Sequence, residues 1–184
     1  PQNIYMNIAG MPQRNTLSIG GSLYNNTNSG GGFSVDLQNT STLTGATLGQ
    51  IYYCDVTFSG SNSAFISNTS GTPSTTFNKV IVNKGSSSET TLTCNIQGTL
   101  NTLTDNWLTI SSGTLKYMRT EPGTNLTIST TTPFTIAKNG GLHIEYSTSA
   151  GRTVLIGNAA NDNGDLLLEG KLTVVSGTVN IGAS

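Results

Sequence analysis

The residues best equipped for chemistry are few and scattered. His143 is the only histidine, and it lies in the run Leu142-His143-Ile144-Glu145-Tyr146. Alternation along an extended chain puts His143 and Glu145 on the same side, facing outward. Such a couple can exchange a proton or contribute to a metal site. No second histidine or cysteine pair supplies the remaining metal-ligand spacing, so a solvated strand face is the expectation. Asn161-Asp162-Asn163-Gly164-Asp165 has the opening of a calcium loop. Glu169 comes too early to close it with a bidentate carboxylate, which leaves an Asx-rich turn. The acids are dispersed singly as Asp36, Asp55, Glu89, Asp105, Glu121, Glu145, Asp162, Asp165 and Glu169. Cleaving a polysaccharide needs several of them gathered on one face. With no nucleophile elbow, phosphate loop or dinucleotide fingerprint either, the chain reads as non-catalytic, with no cofactor and no metal.

Other reactive or adhesive side chains have bland readings beside sharper ones. Cys54 shares strand parity with Val56 and Phe58, and Cys94 with Leu92 and Ile96, so both are expected to point inward as small hydrophobes. A Cys54–Cys94 disulfide is the alternative, and sequence cannot establish the contact. Trp107 and Tyr52 have the parity of outer or corner positions and are candidates for stacking on glycans; a packed aromatic is the competing reading. Thr127, Thr130, Thr131, Thr132 and Thr135 raise the idea of a water-ordering ladder, but no Thr-x-Thr repeats in register. Asn-x-Ser/Thr sequons begin at Asn25, Asn39, Asn68 and Asn125, as chance allows in so Asn- and Thr-rich a chain.

The elements that must carry these residues are strands. Charged residues make up 9% of the chain, against roughly 25% in an ordinary globular protein. Gly, Ser, Thr and Asn take their place, which suits strands with hydroxyl-bearing outer faces and glycines at the turns. A net charge of −1 gives no basic patch for nucleic acid, and no apolar run approaches the ~18 residues of a membrane span. No window carries apolar residues at helical spacing. Short alternating runs recur instead, among them Val80-Ile-Val82, Leu108-Thr-Ile110, Leu142-His-Ile144 and Leu172-Thr-Val174.

Internal similarity selects the architecture. Tyr53-x-x-Val56-x-Phe58 is matched by Phe77-x-x-Val80-x-Val82, a recurrence of about 24 residues, the size of one rung of a parallel β-helix. Leu108–Tyr117, LTISSGTLKY, returns as Leu172–Ile181, LTVVSGTVNI. The two read as copies of one corner, with Gly113 at φ > 0 between Leu108 and Ile110 on one face and Leu115 and Tyr117 on the next. The expectation is an all-β fold, a right-handed parallel β-helix of about six or seven rungs, each roughly 20–28 residues long. Residues 1–184 form one segment, with less regular first rungs over 1–50 and regular ones over 51–184. A sandwich is second choice, since only Asn139-Gly140 and Asn163-Gly164 look like hairpin turns. The chain opens on Pro1 and stops in mid-pattern, which reads as part of a longer chain.

The order of motifs Leu17-Ser-Ile-Gly-Gly-Ser-Leu-Tyr-Asn-Asn26, Val56-Thr-Phe-Ser-Gly60, Thr76-Phe-Asn-Lys-Val-Ile-Val-Asn-Lys84, Ile96-Gln-Gly-Thr-Leu100 and Leu108–Leu115 resembles a known pattern. It is that of β-helical regions in large secreted Bacteroidota surface proteins, adhesin-like and gliding-adhesin-like, exported by type IX secretion. The resemblance covers residues 15–182, lacks a C-terminal sorting domain, and carries over no catalytic residue. It implies an extracellular, cell-surface stalk or fibre-forming scaffold. Its partners would be further copies, neighbouring domains of the same protein, or cell-surface glycans, with no nucleic acid and no direct membrane insertion. A glycan-binding or polysaccharide-cleaving β-helix is the alternative function.

Overall fold

The computed structural model describes residues 14–25, 35–36, 53–68, 75–95, 100–101, 105–119, 126–146, 153–157 and 166–182. These are strands, turns and corners, without a helix. The strands are β1 (Arg14–Ile19), β2 (Leu23–Asn25), β3 (Val35–Asp36), β4 (Tyr53–Phe58), β5 (Ala64–Asn68), β6 (Thr75–Thr76), β7 (Lys79–Asn83) and β8 (Thr91–Asn95). They continue as β9 (Leu100–Asn101), β10 (Leu108–Arg119), β11 (Leu126–Ile128), β12 (Phe134–Tyr146), β13 (Thr153–Ile156), β14 (Leu166–Leu168), β15 (Lys171–Val174) and β16 (Thr178–Ile181). No helix among the described residues is long and apolar enough to cross a membrane.

Every ladder among the described residues is parallel, and strands close in sequence belong to different faces, so the chain coils as a parallel β-solenoid. The first face stacks β1, β4, β7, the start of β10, the start of β12 and β14. The second stacks β2, β5, β8, the end of β10, the end of β12 and β15. A third direction carries two short ladders, β3-β6-β9 and β11-β13-β16. The recurrence of about 24 residues is real register: Val56 lies opposite Val80 and Phe58 opposite Val82.

Parallel stacking places like side chains over like, and the inward positions form continuous apolar files. Ile19, Phe58, Val82, Ile110, Ile136 and Leu168 follow one another on the first face. Ala64, Leu92, Leu115, Leu142 and Leu172 do so on the second. Most of these are fully buried, each contributing about 1.5–3 kcal/mol of apolar transfer. Phe58–Phe77 and Tyr117–Tyr146 add edge-on ring contacts at centroid distances of 6.4 and 5.8 Å. Cys54 and Cys94 are buried, as their parity requires, and are not bonded to each other.

β10 and β12 do not stop at the corner but run across it, pairing with both faces in turn. The bend is taken up by a register shift between Ile110 and Ser112 and by Gly113 at φ 77°. A Cβ on Gly113 would come within 2.7 Å of the Lys84 carbonyl oxygen and 2.9 Å of that of Thr90, so the position needs glycine for space as well as φ. Asn139-Gly140 lies inside β12 and is no hairpin. The doubled phrase is not one corner twice. Gly113 turns the chain from the first face to the second, whereas Gly177, at φ 97°, turns it from the second towards the third. Leu172 is stacked, through Leu142, on Leu115 and not on Leu108.

The same corner holds a buried cation. Lys84 is fully buried; its Nζ donates to the Ser59 carbonyl at 2.5 Å and approaches that of Gly20 at 3.5 Å. Burial pushes its ammonium below the usual lysine range. Ser112 completes the network, its hydroxyl lying 2.9 Å from Asn83 Oδ1 and 3.0 Å from the Gly85 carbonyl oxygen.

Candidate functional site

The polar chemistry of the described residues converges on the outer side of the second face. Alternation in β8, β10, β12 and β15 turns Leu92, Leu115, Leu142 and Leu172 inward and their neighbours outward. Register then aligns Phe65, Thr93, Lys116, His143 and Thr173 in one outward file across five strands. A neighbouring file carries Thr91, Thr114, Gly141 and Lys171. On the other side, Glu145 follows His143 by two residues and faces Met118.

At the centre, Glu145 Oε2 sits 2.8 Å from Lys116 Nζ and 3.0 Å from His143 Nε2. The Lys116 hydrogen bond, and then that of His143, hold the Glu145 carboxyl below the usual glutamate range. The three side chains are each about a quarter to a third exposed. Here lies the His143–Glu145 couple expected from alternation, joined by a lysine supplied from β10, the strand stacked against β12. The cluster can bind and orient a polar ligand by hydrogen bonds. No group of three or more His, Cys, Asp and Glu side chains among the described residues is placed to hold a metal ion.

Beside it, the corner segment between β7 and β8 overhangs the face. Ser88 and Glu89 from this segment, with Thr91, Thr114, His143, Lys171 and Thr173, line a hollow of about 150 Å³. Thr114 Oγ1 donates to the Ser88 carbonyl at 2.7 Å and fixes the wall. Gly141 forms the floor, and any side chain there would collide with the Thr114 hydroxyl.

The aromatic candidates are redistributed. Trp107, expected on an outer or corner position and considered for glycan stacking, is 1% exposed. Its Nε1–H donates to the Thr127 carbonyl at 3.0 Å. The packed reading therefore holds and the outer parity is corrected, for a local cause: Asn106 adopts φ 57°, and Trp107 and Leu108, adjacent in sequence, both enter the core. Tyr52 lies outside the described residues, as do Asn161–Asp165 and Glu121. Among the described residues the exposed aromatics are instead Tyr24 and Phe65, at 56% and 46%. A signal for both existed, since each alternates with an inward aliphatic, Leu23 or Ile66, and so stands at an outward position. The threonines considered as a ladder are divided: Thr127 is in the third direction, Thr135 on the first face, and Thr131 in a corner tied to Asn106.

Comparison of the chain with protein-family models, with curated proteins and with solved structures gives no match.

Proposed function

We propose that this chain is a structural and adhesive segment of an extracellular, cell-surface protein: a rigid stalk or fibre-forming scaffold that performs no catalysis. The finer architecture belongs to the same proposal, a right-handed helix of about six or seven rungs; the inward file from Ile19 to Leu168 supports the number of rungs, and the hand is the one usual for parallel crossovers. Secretion by the type IX route and a Bacteroidota source are supported by the order of sequence motifs alone.

The observation that carries the scaffold reading is the state of β14, β15 and β16. Among the described residues each pairs on one side only. Their inward-facing Leu168, Val174 and Ile181 remain 49%, 44% and 52% exposed, although the residues stacked behind them, Ile136, Ile144 and Ile156, are buried. An apolar end with open strand edges is a template for further stacking, by a following turn of the same chain or by a second copy. Sedimentation velocity over a concentration series tests this. The protein is expected to assemble with rising concentration, and a Leu168→Lys/Val174→Lys/Ile181→Lys variant to remain monomeric. A wild type that stays monomeric throughout would refute self-stacking.

A second reading, glycan binding, is favoured by the two exposed aromatics, Tyr24 and Phe65, beside the polar files of the second face.

A further inference from the structure

The geometry points to a binding strip for a neutral, unbranched polysaccharide along the outer side of the second face, from Tyr24 and Phe65 to His143 and Thr173. The inference rests on the glycan-binding reading and gives it a place and a ligand class.

A single exposed aromatic is ordinary, but two side by side on one solvated face form an apolar patch of the kind that marks a binding surface. Tyr24 lies opposite Ser67, two residues beyond Phe65, so the rings are diagonal neighbours on adjacent strands. That separation is within reach of aromatic side chains. Phe65 is pinned by its backbone N–H, which donates to Ser22 Oγ at 3.0 Å. Two such rings offer an apolar platform to the C–H faces of a sugar, with the tyrosine hydroxyl at its rim.

The platform leads directly into hydrogen-bonding groups. From Phe65, the file passes over Thr93, which is largely buried at 8% exposure, to the half-buried Lys116, His143 and Thr173. Parallel strands are spaced about 4.7–4.9 Å, so the file extends roughly 19 Å along the stack, enough for several sugar units of an extended chain. The hollow floored by Gly141 opens beside its far end and offers Ser88, Glu89, Thr91 and Lys171. Hydroxyls, an imidazole and a carboxylate supply donors and acceptors in the mixture that a polyhydroxylated ligand requires.

Charge selects among polymers. Lys116 is bonded to Glu145, which also takes His143, and Lys171 shares the hollow with Glu89. The cations of the strip are thus matched by carboxylates, which favours a neutral chain over a polyanion. A peptide strand is disfavoured for a different reason. Backbone groups of β5, β8, β10 and β12 are committed to the ladders on both sides, so a peptide could add as a strand only beyond β2 or β15 and not along the strip.

The test is calorimetric titration of the intact chain with neutral hexasaccharides of β-1,4-glucose, β-1,4-xylose, β-1,4-mannose and β-1,3-glucose, with hexagalacturonate as the anionic comparator. Binding to at least one neutral hexamer is expected, weakening when its disaccharide is used. Phe65→Ala and Tyr24→Ala should each reduce affinity about tenfold, and His143→Ala should reduce it as well. Because these side chains lie outside the core, thermal unfolding should be nearly unchanged and will verify folding. Lack of binding by all neutral hexamers, preference for hexagalacturonate, or affinity unchanged in both aromatic variants would overturn the proposal. Self-stacking by sedimentation is read separately, so failure of the strip and failure of the scaffold are distinguishable.

Discussion

Replacing Lys84 by methionine probes the corner most directly. The substitution keeps an unbranched stem of similar length and removes the ammonium, leaving the Ser59 carbonyl without its donor at 2.5 Å. Ser59 is half-buried, so the acceptor deprived of its partner costs at most about 1–3 kcal/mol. The relief of burying a charge opposes this, so a net loss of about 1–2 kcal/mol is expected at neutral pH. The pH dependence is the sharper quantity. Burial lowers the folded-state pKa of Lys84 below its unfolded value. Between those two values the unfolded chain binds more protons, so the wild type gains stability as pH rises through this window, and the gain is lost as pH falls. Each unit of depression is worth about 1.4 kcal/mol. Lys84→Met lacks this contribution, and the stability difference between the proteins should therefore widen from pH 7 towards pH 10. Urea titration followed by tryptophan fluorescence is suitable, because the single tryptophan, Trp107, is buried. A difference that narrows with rising pH would refute the reasoning.

Gly113→Ala should cost about 3 kcal/mol, from left-handed backbone strain and contact with two carbonyl oxygens, and should lower the thermal midpoint by several degrees. Glu145→Gln should cost below about 1 kcal/mol, because its partners are partly solvated. The carboxylate's contribution is fully present above the ordinary glutamate pKa and lost as pH falls through its depressed value, so the variant should approach the wild type in acid melts. Cys54 and Cys94 should resist an aromatic disulfide reagent in the native protein and react in urea, since both are buried and Cys54 is pushed up first by burial and then by Asp55. Rapid native labelling of either would contradict the packing.

The features legible in the sequence were those set by period and register. The offset between Val56 and Val80, the inward parity of Cys54 and Cys94, and the positive φ at Gly113 all follow from local pattern. What stayed hidden depended on events at corners or between turns. Nothing in the one-dimensional alternation indicates that Asn106 turns left-handed and sends Trp107 inward. The phrase shared by Leu108–Tyr117 and Leu172–Ile181 could not reveal that it serves two different bends, since both need the same aliphatics and the same glycine. Lys116 met Glu145 only through stacking of β10 on β12. Lys84 reads as a surface residue until its reach along the corner is seen.

That reach gives the stack a sense of time. Lys84 answers carbonyls of Gly20 and Ser59, which precede it by 64 and 25 residues. In a chain that emerges from its N-terminus, these oxygens are made long before their donor. The earlier turns cannot complete this corner on their own; they are locked only once the later one has been laid beneath them. One side chain thus ties three successive turns together, and a chain interrupted before residue 84 would lack the donor for both carbonyls.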